Sequence, residues 1–121
     1  MRTAPLLLIV GVLGLASLVA PSTHVPLAAQ GQQVFVGTIT DDMCATKDGH
    51  ATMRMGPTDA ECTKACVAAH GAEYVLADGT NVYTLSDQKT PETFAGQRVR
   101  VAGTLDAKTK TIQVQSISAA K

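Results

Sequence analysis

Three cysteines and a histidine dominate the chemistry this sequence can offer. Cys62 and Cys66 stand four residues apart in ECTKAC, and Cys44 and His50 lie upstream in DDMCATKDGH. On a helix, residues four apart share one face, so two thiolates one turn apart present themselves to a common ion. With Cys44 and His50 brought in by the preceding segment, the set is three sulfurs and one imidazole, which suits tetrahedral zinc. The HExxH zinc motif uses the same i, i+4 device with imidazoles. Met43, Met53 and Met55 in the same segment add thioethers, which favour Cu(I) over zinc on grounds of softness. Gap-filling in the packing is their plainer use. His70 closes the run ECTKACVAAH and is a weaker ligand candidate, because a histidine there can simply interact with the last carbonyls of a helix.

A disulfide is the alternative, and three thiols cannot all pair. Helical residues four apart hold their Cβ atoms about 5 to 6 Å apart, whereas a disulfide requires roughly 3.5 to 4.5 Å. Cys44 with either Cys62 or Cys66 is therefore the expected bridge. It closes a loop of about 20 residues and stabilises by roughly 3 kcal/mol in the chain-entropy account. A catalytic reading finds little support. Cys62 is near a helix start, which lowers a thiol pKa, but Asp59 and Glu61 beside it act in the opposite sense. There is no Cys-x2-Cys redox pair, no Cys-x2-Cys-His haem site, no phosphate-cradling glycine loop and no nucleophile-base-orienter set. Asp41 and Asp42 read as turn residues or as acceptors behind the ligands. The expectation is a binding or structural domain, not an enzyme.

The elements that must position these residues are legible in part. Residues 34–40, VFVGTIT, alternate as a strand with Phe35, Gly37 and Ile39 on one face, and Gly37 marks a bulge or bend. Residues 41–57 have no period and contain Asp-Gly and Gly-Pro turn signals, so they read as a long loop. A helix then starts at Thr58, a capping residue with Glu61 three positions on, and stops at Gly71. Its expected face is Cys62, Ala65, Cys66 and Ala69, with Lys64 and Ala68 turned away. Residues 72–87 read as a hairpin around Asp78-Gly79. Thr90-Pro91 opens a single helical turn. A second hairpin follows, with Val99, Val101 and Gly103 alternating in one strand and Ile112 and Val114 in the other.

Five strands with a short helical turn between the third and fourth predict a mainly β, OB-fold-like barrel. The cysteine-bearing loop and helix, residues 41–71, form an insert in the connection between strands 1 and 2. A small sandwich is the competing arrangement. Gly37 and Gly103 are the positions expected to let strands bend into closure.

The N-terminus reads as an export signal. One basic residue, Arg2, precedes an apolar run over residues 6–20; at about 15 residues it is shorter than the roughly 20 of a spanning helix. No basic cluster follows and no cysteine marks a lipid attachment point, so no stable membrane anchor is expected after cleavage. Small residues in LAAQG favour cleavage near Gly31, so residues 1–31 read as signal peptide and flexible lead-in and residues 32–118 as one domain. Localisation is then periplasmic or extracellular. Without Arg2 the chain has nine basic residues against ten acidic, and this balance argues against nucleic acid or anionic lipid as a partner. The sequence points to no particular protein partner. Its four aromatic residues, Phe35, Tyr74, Tyr83 and Phe94, are too few for a base-stacking platform.

The run GTITDDMC, then a histidine, then ECTKAC, EYVL and FAGQRVRVAGTLD resembles an uncharacterised family of small exported bacterial proteins, a domain of unknown function. The resemblance runs from Val34 to about Ile117, and Cys44, His50, Cys62 and Cys66 are its most specific part. It implies an exported location and a small barrel-like β domain, and no activity.

Overall fold

A computed structural model describes residues 31–46 and 48–121; the stretch read as an export signal falls outside the described residues. Strand β1 (Gln33–Asp41) is followed by two helices, α1 (Gly49–Met53) and α2 (Asp59–His70). Then come β2 (Tyr74–Ala77), β3 (Val82–Leu85), a 3-10 helix (Thr90–Phe94), β4 (Arg98–Asp106) and β5 (Thr111–Ala119). The strands close into one barrel in the order β1-β2-β3-β5-β4, and β4 returns to pair with β1. All pairings are antiparallel except β3 with β5. The five-stranded barrel with a helix between its first two strands is thus the expected architecture, and closure excludes the sandwich. Among the described residues no helix is long and apolar enough to cross a membrane.

Alternation in the sequence decides which side chains turn inward. Val99, Val101 and Gly103 of β4 are buried while Arg98 and Arg100 are exposed, and Ile112 of β5 is buried between half-buried Thr111 and exposed Gln113. With Ile39, Tyr74, Leu76, Leu85 and Ala95 they build the barrel core, and Phe35 and Tyr83 flank it with ring centroids 5.4 Å apart. Each fully buried Val, Leu or Ile stabilises by about 1.5 to 3 kcal/mol. The core is small, which leaves the barrel little surplus with which to hold down a long insert.

The two glycines act differently. At Gly103 the β4–β5 register shifts, and a Cβ would run into the carbonyl oxygen of Gln113. This is the expected bend. Gly37 carries no register shift; its pairing with β4 is continuous, and a Cβ there would meet the carbonyl oxygen of Ala77 at 2.6 Å. The residue permits close approach of β2, and the bulge expected at that position is absent.

Helix α2 forms as its caps dictate. Thr58 has extended backbone and its hydroxyl accepts from the backbone N–H of Glu61 at 3.2 Å. The same hydroxyl donates to Glu61 Oε2 at 2.8 Å, so the carboxylate closes the box on the side chain of Thr58. Gly71 ends the helix in the left-handed region, its N–H donating to Val67 O, while Ala72 N–H donates to Cys66 O. The buried residues of α2 are Cys62, Thr63 and Cys66. Ala69 is exposed and Ala65 half-buried, so the inward face is rotated toward Thr63 and Val67 from the one the spacing predicts. The uncharged side chains over residues 60–69 are all small, Ala, Cys, Thr and Val, and packing against β1 sets the rotation of the helix.

The insert leaves and rejoins the barrel at adjacent points. Asp42 N–H donates to Glu73 O at 3.0 Å, and Glu73 N–H donates to Asp42 Oδ1 at 3.1 Å. These bonds extend the β1–β2 ladder past its last pair and close the base of the loop. Above that base the insert packs on itself around Cys44, Cys62, Cys66 and Ala72, with Met53, Met55 and Val67 against them.

Candidate metal centre

Cys44 is placed by the turn that ends β1. Asp41 Oδ1 accepts from the backbone N–H groups of Met43 at 3.1 Å and Cys44 at 3.0 Å, a local aspartate turn. The turn points the thiol inward, where 3 % of Cys44 is exposed. Cys62 and Cys66 come from the inward face of α2, both essentially fully buried. The Cys44 Sγ atom lies 3.9 Å from that of Cys62 and 3.8 Å from that of Cys66. Two sulfurs bound at 2.3 Å to one tetrahedral ion stand about 3.8 Å apart. Both separations match the edge of such a tetrahedron.

The sequence gives no sign of α1, which delivers His50. Left-handed residues bracket it, Asp48 at φ 65° and Arg54 at φ 48°, and five residues are too few to register as a helical period. Gly49 lets it approach: a Cβ there would run into the backbone of Cys44. Gly49→Ala is expected to destabilise the protein by about 1 to 3 kcal/mol as α1 is forced off that backbone, read as a lower urea midpoint.

The imidazole of His50 hydrogen-bonds through Nε2 to Thr40 Oγ1 at 3.1 Å. With the proton on Nε2, that nitrogen donates to Thr40 and Nδ1 keeps a bare lone pair. This is the tautomer that a ligating imidazole adopts, held by a neighbouring acceptor. Nδ1 is buried and finds no hydrogen-bond partner among the described residues; the same is true of Asp41 Oδ2. A buried polar atom without a partner costs about 1 to 3 kcal/mol, and two of them belong to residues of the thiol cluster. Thr63 Oγ1 is a third such atom, and nothing in the structure explains it.

Donor atoms gather in two triads. One is Cys44, His50 and Cys62; the other is Asp41, Cys44 and Cys66; within each, all donor atoms lie within 4.8 Å of one another. The four residues singled out by the sequence therefore do converge, but Cys62 and Cys66 fall in different triads, joined through Cys44. Asp41 stands here as a donor in its own right, where the sequence assigns it to a turn or to an acceptor behind the ligands. His70 is exposed on the last turn of α2 and belongs to neither triad. Met53 and Met55 pack half-buried against the thiols, in the gap-filling position.

Burial pushes the Cys44 thiol far above the ordinary range, and the neighbouring Cys66 and Asp41 push it further the same way. Burial likewise raises Cys66, with Asp41 adding to the effect. Free of metal, these two thiols are protonated, the opposite of the shift that activates a nucleophilic cysteine. A cleft of about 280 Å³ adjoins the cluster; His50, Arg54, Asp59 and Cys62 are among its lining residues. It gives solvent a route to one triad. A larger groove of about 410 Å³ runs between Ala45–Thr46 and the β2–β3 turn, with no charged residue in its lining.

Residues 67–120 match the model of a family described as a protein of unknown function (DUF5818). The resemblance to an uncharacterised family therefore holds for the segment from the last turn of α2 through β5. The match starts one residue after Cys66, so Cys44, His50, Cys62 and Cys66 all lie outside it, and the cysteine pattern is a feature of this chain beyond the matched segment. No curated protein and no solved structure matches the chain.

Proposed function

We propose that this chain is a small exported domain whose Cys44, His50, Cys62 and Cys66 cluster binds a transition metal, zinc or copper, in a structural or a sensing and storage role. The observation that carries the reading is the pair of sulfur separations, 3.8 and 3.9 Å, beside two buried donors without partners. The carboxylate of Asp41 in the cluster, a hard oxygen donor, favours zinc over Cu(I). Two features bear on role. The insert packs around thiols, an alanine and half-buried methionines, which is little apolar area to hold a long excursion, so a bound ion would fix it. The cleft beside His50 and Cys62 would let that ion exchange.

Protein purified from the exporting compartment without chelator is expected to contain at least about one equivalent of metal, with thiols that alkylate only after chelation. A second reading follows from the same distances. Cys44 is nearly equidistant from Cys62 and Cys66, and an approach of about 1.8 Å would bond it to either, the default chemistry of an oxidising compartment. Metal-free protein with a single alkylatable thiol would establish that stapled, purely structural or protein-interaction domain in place of the metal site. Neither reading includes nucleic acid or a membrane anchor as a partner, given the near-neutral charge and the short apolar leader.

A further inference from the structure

We propose that the cluster is built for two divalent ions, with the Cys44 thiolate bridging them: one ion held by Cys44, His50 and Cys62, the other by Asp41, Cys44 and Cys66. The inference rests on the metal-binding reading and goes beyond it in ion count and in making Asp41 a ligand.

Three observations lead to it. The donor atoms form two triads that share Cys44 alone. The Cys62 and Cys66 sulfurs lie 3.9 and 3.8 Å from Cys44 Sγ but belong to no common triad, whereas the sulfurs of one four-coordinate centre stand pairwise about 3.8 Å apart. Second, each triad includes a residue with an orphaned buried atom, His50 with its Nδ1 and Asp41 with its Oδ2. One ion satisfying the imidazole leaves the carboxylate oxygen still unpaired, and Asp41 as a whole is 0 % exposed. The other oxygen of Asp41 is occupied by the Met43 and Cys44 N–H groups, which fixes the carboxylate and leaves only Oδ2 for a ligand.

The third is charge balance. When ionised, the thiolates of Cys44, Cys62 and Cys66 and the carboxylate of Asp41 carry four negative charges in a buried site. Two divalent ions neutralise them, whereas one leaves a net negative site that the interior disfavours. Binding as written releases three thiol protons to solvent and involves no redox change. A thiolate has lone pairs enough to bind two ions at once, which neither the imidazole nitrogen nor a thiol can do. Each ion then has three protein ligands; the cleft at His50 and Cys62 leaves room for water as a fourth on that side.

The test is zinc stoichiometry of the full exported chain by equilibrium dialysis, together with Asp41→Asn and His50→Gln. Asparagine retains the Oδ1 acceptor that shapes the turn while weakening the second oxygen as a ligand. The parent should hold two zinc ions per chain and each variant one. One ion in the parent overturns the two-ion site and leaves the metal-binding reading standing; none overturns both. Two ions retained in Asp41→Asn removes Asp41 from the ligand set and overturns the assignment. A cobalt(II) titration of the parent is independent of variant folding: a shared thiolate couples the two spins, so the electron paramagnetic signal should rise to one equivalent and fall toward two. A signal that rises in proportion up to two equivalents would show two separate ions and overturn the bridge.

Discussion

A Cys44→Ser chain, loaded with zinc beside the parent and dialysed, is expected to lose its metal, because position 44 is the one donor common to both triads. Even ligand-orienting residues behind a metal cost 10- to 100-fold in affinity when removed, so losing the shared thiolate should cost at least roughly 100-fold. At metal concentrations well above the dissociation constant, a hundredfold loss removes about 2.7 kcal/mol of linked stability. For a domain of this size that is a fall of roughly 10 to 20 °C in the thermal midpoint. A buried serine hydroxyl also costs something by itself, so the comparison is made with and without chelator. The part of the midpoint that chelator removes from the parent should be absent in Cys44→Ser. In Cys66→Ser it should persist in part, because the triad with His50 and Cys62 is left intact. Equal losses in the two variants would contradict the placement of Cys44 at the centre.

The pH dependence of stability should reverse sign when metal is removed. In the metal-free chain, burial holds Cys44 and Cys66 above their ordinary pKa of 9.0. A group whose pKa is raised by folding contributes fully below its unfolded value and loses that contribution as pH climbs through its folded value. Chelated protein should therefore hold this contribution undiminished up to about pH 9.0 and lose it above, where unfolding releases thiols that ionise readily. In the loaded protein the ligands are thiolates, and protons compete with the metal. Each thiol displaced lowers the apparent affinity about tenfold per pH unit of acidification. With three thiols, that stabilisation should collapse steeply as pH falls, while alkaline pH leaves it intact. Thermal midpoints recorded across pH on loaded and chelated samples check both arms. A bridged Cys44 has no proton to exchange, so a disulfide-stapled protein would show neither slope from that residue.

How far the sequence foretells this arrangement depends on how local each cause is. Thr58, Glu61 and Gly71 announce α2 because capping involves side chains and backbone within one turn. Val99, Val101 and Gly103 announce β4 because a two-residue period needs only one covered face. The convergence of Cys44 with Cys62 and Cys66 follows from chemistry that three thiols in a small insert can perform. Three features do not show in the sequence, each for a physical reason. Helix α1 is a single turn bracketed by Asp48 and Arg54 in left-handed conformations; Asp tolerates that region better than most residues but Arg does not, and neither marks a helix end as a glycine would. The inward face of α2 is mis-rotated in a sequence reading because Ala65, Ala69 and Thr63 differ little in what burial gains. Asp41 reads as a turn former, and it is one; that its second oxygen is sealed beside the thiols depends on how the whole insert folds back.

The most direct test of the central claim, that Cys44, Cys62 and Cys66 hold a metal, is X-ray absorption at the metal edge on protein purified from the exporting compartment without chelator. The account predicts sulfur scatterers at about 2.3 Å, two or more per ion, with nitrogen or oxygen at about 2.0 to 2.2 Å. A shell of nitrogen and oxygen alone, with no sulfur, would contradict it.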